Sequence, residues 1–350
     1  MKSILLTGGA GFIGSHTCLA LLEKGYEVYV IDSFVNSSKK SLDSVKNIYK
    51  NKYNNSNFNL HIFNGDLRDK YFIKKVFSDI YKVNKKIDGV IHFAGVKSVL
   101  ESQRNPLFYW NTNVLGTINL LEIMNSYKCI NFVFSSSATV YAQKKDSLLK
   151  EDSDIAPITP YGNTKLTVEK LLEDIFKSQE NDNKFASLRY FNPIGAHSSG
   201  LLGENPIGIP NNIFPLIINT AAGIQKEFKV YGSNWPTKDG TCIRDYIHVM
   251  DLAEAHIKVL EFLSKKDPTY FSLNVGTGKG TSVLELLKTF ERVNNVKIPY
   301  VFEERRMGDA PYVVADNTLL SSKLNVLTKR NLEDMCRDGW KWKKLNPNGY

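Results

Sequence analysis

The sequence predicts an α/β protein: a doubly wound parallel sheet followed by a smaller α/β C-terminal cap. Three observations predict it. Short apolar strands alternate with amphipathic helical segments over roughly the first 190 residues, the pattern of successive βα units. A glycine-rich turn, Gly8-Gly9-Ala10-Gly11-Phe12-Ile13-Gly14, joins the first strand to the first helix. Small, polar or acidic residues recur where strands end, at Gly8-Gly9, Asp32, Gly65-Asp66, Ala94-Gly95 and Ser135-Ser136-Ser137. In an open α/β sheet the chemistry gathers at those carboxyl ends.

The elements follow in order. Lys2 to Thr7 reads as a short buried strand, and the helical pattern after the turn runs through Leu22. Gly9, Gly11 and Gly14 satisfy G-x-G-x-x-G in the strand–turn–helix context that gives the motif meaning. The first glycines permit a tight turn and a close approach of backbone to a pyrophosphate, and Gly14 lets the helix pack near the strand. The helix N-terminus then offers unpaired N–H groups to the anion. Tyr26 to Ile31 is the next strand and ends in Asp32, 18 residues after Gly14. A carboxylate there accepts hydrogen bonds from a ribose diol and repels a 2′-phosphate, which favours NAD over NADP. Ser37 to Asn57 reads as a short helix and then a mobile loop, lengthened by the Asn/Lys-rich stretch from Lys46.

Asn59 to Asn64 is a strand whose following Asp66 can face an adenine amino group. Asp88 to Phe93 is a strand ending at Ala94-Gly95, small enough for a cofactor to lie against the backbone. Trp110 to Tyr127 reads as one long helix, Ile130 to Phe134 as a strand opening onto the three serines, Thr164 to Ser178 as a helix and Ala186 to Phe191 as a strand. Beyond Asn192 the alternation breaks into Gly-, Pro- and Asn-rich loops, short strands and helices at 214–222, 249–263 and 282–294. The expected domains are 1–191, binding the dinucleotide, and 192–350, mainly a cap, with some segments returning to the larger domain.

Tyr161-Gly-Asn-Thr-Lys165 places a phenol and an ammonium on one helix face. A cation at roughly 7 Å and an effective dielectric near ~20 favours the phenolate by about 2 kcal/mol, or about 1.7 pKa units. A positively charged oxidised nicotinamide supplies the rest needed to bring a phenol to near neutrality.

Composition sets bounds. Apolar residues make up 42% and charged residues 23% of 350, ordinary for a globular protein with one large or two modest domains. The chain shows no signal-peptide pattern and no apolar run long enough for a bilayer. Cys18, Cys129, Cys242 and Cys336 have no metal or redox spacing, which fits a reducing cytoplasm. The net charge of +9 comes from scattered lysines and not from a basic stripe with aromatics, so no nucleic-acid partner is expected. His248 and His256 lack an acidic cluster, and no metal site is expected.

With these residues in place, the chain resembles the extended short-chain dehydrogenase/reductase family, whose large domain is a Rossmann sheet. The resemblance rests on the glycine turn, Ile91-His92-Phe93-Ala94-Gly95, Ser135-Ser136-Ser137-Ala138-Thr139-Val140-Tyr141 and Pro160-Tyr161-Gly162-Asn163-Thr164-Lys165. Cap motifs narrow it to the UDP-glucose 4-epimerase family: Arg189-Tyr190-Phe191-Asn192-Pro193, Gly208-Ile209-Pro210-Asn211-Asn212, Asp239-Gly240-Thr241, Arg244-Asp245-Tyr246-Ile247-His248-Val249 and Arg305-Arg306-Met307-Gly308-Asp309.

That resemblance implies a homodimer that retains NAD and inverts C4 of UDP-glucose and UDP-galactose through a 4-keto sugar. It implies Tyr161 as the base, Lys165 as its electrostatic partner and Ser137 as the hydrogen-bonding relay. For NAD it implies Gly8, Gly11, Phe12, Ile13, Gly14, Asp32, Asn36, Ser37, Asp66, Leu67, Phe93, Ala94, Gly95, Lys97, Asn113, Tyr161, Lys165 and Phe191. For the UDP-sugar it implies Lys97, Ser137, Ala138, Thr139, Tyr161, Asn192, Asn211, Asn212, Tyr231, Arg244, Arg306, Asp309 and Val313. Arg244 and Arg306 have the fork geometry to chelate a diphosphate. Tyr231 stands where the family stacks an aromatic near uracil. Val313 stands where members carry either tyrosine or a small residue, the small one leaving room for an N-acetyl group, although Tyr312 is its neighbour. The chain departs from the family pattern at Ala142, usually glycine. A 4,6-dehydratase of the same family needs an Asp-Glu pair after the threonine of the serine segment, where this chain has Val140-Tyr141. An inactive NAD-binding sensor would be free to lose Tyr161, Lys165 or Ser137, and all three are present.

Overall fold

Ile4, Leu5 and Leu6 dominate the first strand, and Ser3–Thr7 (β1) is buried along its whole length, as a central parallel strand must be. The computed structural model describes residues 2–54, 58–83, 85–142, 148–178, 182–208, 210–306 and 308–350. Strands follow at Glu27–Asp32 (β2), Leu60–Asn64 (β3), Gly89–His92 (β4), Asn131–Ser137 (β5) and Lys184–Tyr190 (β6). Later come Asn192–Ile194 (β7), Phe228–Tyr231 (β8), Ile243–His248 (β9), Thr269–Val275 (β10), Gly280–Ser282 (β11), Tyr300–Glu303 (β12) and Tyr312–Val313 (β13). Helices run at Phe12–Glu23 (α1), Lys39–Tyr53 (α2), Lys70–Lys82 (α3), Val99–Arg104 (α4), Pro106–Tyr109 (α5), Gly116–Ser126 (α6) and Pro160–Lys177 (α7). The remainder are Ile213–Ala221 (α8), Val249–Leu263 (α9), Val283–Asn294 (α10), Thr318–Leu324 (α11) and Leu332–Leu345 (α12).

Seven strands form one sheet in the order β10-β6-β5-β4-β1-β2-β3. β1 pairs in parallel with both β2 and β4, so β2 and β3 are added on one side of β1 and β4, β5 and β6 on the other, and the winding order reverses between β1 and β4. Parallel neighbours joined through helices make this the doubly wound arrangement read from the sequence, with its switch point beside the glycine turn.

The chain forms two compact units. The first holds residues 1–140, 157–189 and 253–273; the second holds 141–156, 190–252 and 274–350. In the first, Leu5, Ile31, Val90, Phe132 and Phe134 of the sheet pack with Ile73, Phe77, Leu120, Met124, Val168 and Leu172 of the helices. Each such side chain contributes roughly 1.5–3 kcal/mol of apolar burial before entropy is counted. In the second, Phe214 and Ile217 of α8 pack with Leu286, Leu287 and Phe290 of α10 and with Met335 and Cys336 of α12. Capping boxes start α10, between Ser282 and Glu285, and α12, between Asn331 and Asp334.

Two segments differ from the sequence reading. The stretch read as a short helix and a lengthened loop is a 15-residue helix to Tyr53, whose N-cap Ser38 accepts a hydrogen bond from the Lys40 N–H. Ser41, Leu42, Val45 and Ile48 are its buried face, and that periodicity outweighs the polar composition. Residues 55–57 of that stretch lie outside the described residues, as do Ile209 and Met307 of the cap motifs. The segment read as one helix from Trp110 begins as a π-helical turn, Trp110–Leu115, and becomes α-helical only at Gly116. Among the described residues no helix is long and apolar enough to cross a membrane.

Candidate active site

The glycine turn folds as its residues require. Gly8 has φ +69°, and a Cβ there would fall 2.6 Å from the Ala94 nitrogen of the loop after β4. A Cβ at Gly14 would fall 2.2 Å from the Gly8 carbonyl oxygen, so α1 can approach the turn only with glycine there. Gly11 is the N-cap of α1; it has no side chain to cap with, and the first turn carries no acid. The N–H groups of Phe12, Ile13 and Gly14 therefore face outward as an anion cradle.

Asp32, 6% exposed at the end of β2, organises this turn. Its Oδ2 accepts the Ala10 N–H at 2.9 Å; its Oδ1 accepts the Phe34 N–H at 2.9 Å and the Ser37 hydroxyl at 2.8 Å. Ser41 Oγ donates to the Ala10 carbonyl at 2.7 Å and completes the clamp. Ser41 escaped the sequence reading because its part depends on α2 packing against the turn. Asn36 beside it is exposed. Asp66 is engaged by Arg68 through Nε at 3.0 Å and Nη2 at 2.6 Å, and the Arg68 guanidinium holds its carboxyl below the usual range. Leu67 is buried, and its carbonyl accepts from Asn119 at 3.1 Å.

The loop after β4 is held by Asn113 of the π-turn. Asn113 Oδ1 accepts the Val96 N–H at 2.8 Å, and its Nδ2 donates to the Val96 carbonyl and to Thr164 Oγ1, both at 3.1 Å. Gly95, at φ +156°, passes so close that a Cβ would lie 2.9 Å from Asn113 Oδ1. Behind it runs a buried chain of hydrogen bonds. Thr117 Oγ1 donates to the Asn113 carbonyl at 2.6 Å, so it accepts from His92 Nε2 at 2.8 Å. His92 Nδ1 is then the acceptor for Thr7 Oγ1 at 2.6 Å. Full burial keeps His92 neutral, its pKa pulled down to about 3. Phe93 and Ala94 are half-buried and Lys97 is exposed.

Tyr161 and Lys165 stand on the first turns of α7, whose N-cap Thr159 accepts the Gly162 N–H at 3.1 Å. Both are about 5% exposed. Lys165 Nζ donates to the Ser135 carbonyl at 2.8 Å and lies 4.8 Å from the Phe134 ring centre and 5.8 Å from that of Tyr161. Burial pulls its pKa down to about 8, opposed by the carboxylate of Glu169. Tyr161 packs with Val96, Tyr109 and Phe108. Ser137 Oγ accepts from the Thr139 N–H at 3.2 Å and the Thr139 hydroxyl at 3.0 Å, leaving its own proton to donate. A Cβ at Gly162 would fall 2.8 Å from the Thr139 carbonyl, so the Ser137–Thr139 segment, Ala138 included, abuts the turn that carries Tyr161. Within this unit the predicted cofactor and catalytic residues thus lie at the carboxyl ends of β1 to β5, in the π-turn and on the first turns of α7.

In the second unit, Asp309 joins two of the predicted substrate residues. Its Oδ2 accepts from Arg306 Nε at 3.1 Å, and its Oδ1 lies 3.6 Å from Arg244 Nη2. Arg244 Nη1 donates to the Ile243 and Ala310 carbonyls, which fixes the direction of its fork. The Arg306 guanidinium lies 4.4 Å from the centre of the Tyr231 ring and covers one of its faces. Val313 pairs with Arg244 across β13 and β9. Tyr312, next in the strand, points to the other side, where its ring comes 3.5 Å from a Cβ built on Gly280. Asn192 pairs with Tyr246 on the same sheet, and the Phe191 N–H donates to the Val275 carbonyl at 3.2 Å. Asn211 and Asn212 are exposed before α8, and Asn212 donates to Glu204 at 3.3 Å and not to the arginine group. His248 and His256 serve separate roles: His248 Nε2 lies 3.3 Å from Asp338, while the His256 ring packs 4.7 Å from Phe93.

Comparison with known proteins places this arrangement. A protein-family model described as GDP-mannose 4,6 dehydratase matches residues 5–339. The chain is 47% identical to UDP-glucose 4-epimerase 2 of Arabidopsis thaliana over 100% of its own length and 97% of that protein's. Among solved structures it is similar to the UDP-glucose-4-epimerase of Stenotrophomonas maltophila, crystallised with NAD and formylated UDP-arabinopyranose (TM-score 0.93, 41% identity, 99% of each chain). It is also similar to the UDP-glucose 4-epimerase of Bifidobacterium longum in complex with NAD+ and UDP (TM-score 0.91, 39% identity, 100% of each chain). By these likenesses, and by the fold they share with it, the chain belongs to the UDP-glucose 4-epimerase family of extended short-chain dehydrogenases/reductases.

Proposed function

We propose that this protein interconverts UDP-glucose and UDP-galactose by inverting C4, with NAD as its resident cofactor. The observation that carries the reading is the Tyr161–Lys165 pair, buried on α7 with Lys165 bonded to β5 two residues before Ser137. The open N-terminus of α1, the glycines that a Cβ would clash at and the lone pairs left on Asp32 fit a dinucleotide. When bound, NAD supplies a hydride acceptor and donor at sugar C4. Tyr161 takes the proton of the 4-hydroxyl as phenolate, and the Ser137 hydroxyl donates to the same oxygen. The Lys165 ammonium stabilises the phenolate. After the 4-keto sugar has turned over, Tyr161 returns the proton to the oxygen on the other face, so the enzyme ends unchanged. Arg244 and Arg306, held together by Asp309, grip the diphosphate, while Tyr231 and the asparagines take the nucleoside and sugar. The first unit is then the NAD domain and the second the UDP-sugar domain.

The dehydratase reading offered by the family-model description is disfavoured by the serine segment itself. Val140 is wholly buried, and the Tyr141 hydroxyl donates to Asn274 at 2.7 Å, so neither position offers an acid to a leaving hydroxyl. We also infer that UDP-N-acetylhexosamines are accepted, because Val313 is small and Tyr312 is turned away from it. Turnover of UDP-galactose with none of UDP-N-acetylgalactosamine would refute that extension. A homodimer is inferred from apolar side chains left open around the π-turn, with Leu107 76%, Trp110 37% and Leu115 43% exposed. A solution mass of twice the 39.6 kDa chain is the expected result. Four unpaired buried thiols suit a cytoplasmic setting. The deciding experiment is incubation with UDP-galactose and no added NAD. Formation of UDP-glucose, and release of NAD on denaturation, support the reading; neither product nor nucleotide would overturn it.

A further inference from the structure

Glu169 is 3% exposed and lies one helical turn beyond Lys165 on the same face of α7. Three strands reach for it. Ser136 Oγ of β5 donates to Oε1 at 2.5 Å. Arg189 of β6 donates through Nη2 to Oε2 at 2.6 Å and through Nε to both oxygens, at 3.0 and 3.1 Å. Tyr270 of β10 donates its hydroxyl to the Glu169 carbonyl at 3.0 Å. Buried ion pairs add little net stability, because desolvation offsets most of their attraction. Stability is therefore a poor account of this one, and its surroundings offer a better account. Three consecutive serines divide the work: Ser135 takes the Lys165 ammonium on its carbonyl, Ser136 takes Glu169, and Ser137 carries the hydroxyl for the reacting oxygen.

We propose that Glu169 is a positioning residue: gripped by Ser136 and Arg189, it sets α7 against the serine strand and so places Lys165 and Tyr161 for reaction. The inference rests on the roles of Tyr161 and Lys165 given above. Charge supports it. Lys165 hydrogen-bonds a neutral carbonyl, and Glu169 is the carboxylate that opposes the effect of its burial. The other groups around this face are Tyr161 on α7, neutral His92 on β4, Arg189 on β6 and the Tyr270 hydroxyl on β10. Apart from Tyr161 in its phenolate form, none of these supplies a negative charge in Glu169's place.

The test compares wild type, Glu169→Gln and Ser136→Ala by two readouts. One is the pH profile of kcat and KM with UDP-galactose. The other is the NMR titration of 13C-labelled Lys165, assigned with Lys165→Met. For Glu169→Gln the Lys165 titration and the alkaline limb of kcat move down by about one pH unit, so that above the limb kcat falls about tenfold. KM stays within about twofold, since the diphosphate site is untouched. Ser136→Ala, the milder change, lowers kcat severalfold with KM unaltered. A folded Glu169→Gln protein with the wild-type profile and Lys165 titration would overturn the proposal. Should that variant not fold, a folded Ser136→Ala protein with unchanged kcat overturns it instead. Wild type that does not convert UDP-galactose would refute the epimerase reading, and the Lys165 titration would still judge the placement of its charge.

Discussion

Replacing Asn113 by alanine removes three buried hydrogen bonds at once. The Val96 N–H loses its acceptor at 2.8 Å and the Val96 carbonyl its donor at 3.1 Å. Thr164 loses one partner but still donates to the Tyr161 carbonyl at 2.7 Å. Val96 is 9% exposed and Asn113 4%, so water does not readily replace the lost amide. Two orphaned backbone groups at about 1–3 kcal/mol each give a loss of about 4 kcal/mol. For a unit of roughly 200 residues, that lowers the thermal midpoint by about 8–16 °C. The loop released is the one whose Gly95 lies against Asn113, so cofactor retention falls as well. Thermal unfolding by circular dichroism, with NAD measured after denaturation of the purified protein, reads both effects. Asn113→Asp keeps one acceptor but faces the Val96 carbonyl with a second, and loses a comparable amount. A drop under about 3 °C with NAD retained would refute the reasoning, since it would mean that Val96 finds other partners.

Tyr161→Phe is expected to cut turnover of UDP-galactose by at least about a hundredfold while leaving the melting temperature and bound NAD unchanged, and a fully active variant would sink the mechanism. Gly14→Ala drives a Cβ to within 2.2 Å of the Gly8 carbonyl, so the purified variant should carry little or no NAD on denaturation. His92 stays neutral down to about 3 in the folded chain, whereas the unfolded chain takes up that proton near 6.5. Stability therefore falls as pH drops below about 6.5, and His92→Gln should flatten that slope in urea titrations between about pH 6.5 and 4. Arg244→Lys keeps the charge but loses the fork, and should raise KM for UDP-galactose about tenfold with NAD content unaffected.

Local grammar made much of this legible beforehand. The glycine turn could be read because its requirement is steric and confined to seven residues. Asp32 and the Tyr161–Lys165 pair could be read because strand ends and helical spacing fix their directions. What escaped depends on partners distant in the chain. The π-turn at Trp110–Leu115 has the apolar spacing of an ordinary helix over so short a run; its Asn113 makes sense only once Val96 is beside it, 17 residues away. Helix α2 was hidden by its lysines and asparagines, although Leu42, Val45 and Ile48 already mark one face. Arg189 stood in a recognisable motif, but its partner Glu169 comes from a different element, 20 residues earlier. The Arg244–Asp309–Arg306 group likewise joins residues from two separate stretches, so pattern reading could name its members without naming their bond.

The position of β10 has a consequence for biosynthesis. β6 ends at Tyr190, yet the strand that covers its edge is complete only at Val275, 85 residues later. At about 5–20 residues per second a ribosome needs on the order of ten seconds to deliver it. Throughout that interval the nascent sheet presents an open edge rich in apolar side chains, a template for pairing with another chain. Expression yield should therefore depend on holdase chaperones and on translation speed between those two points. A fragment cut after residue 191 retains every glycine of the dinucleotide turn and still lacks the strand that closes its sheet.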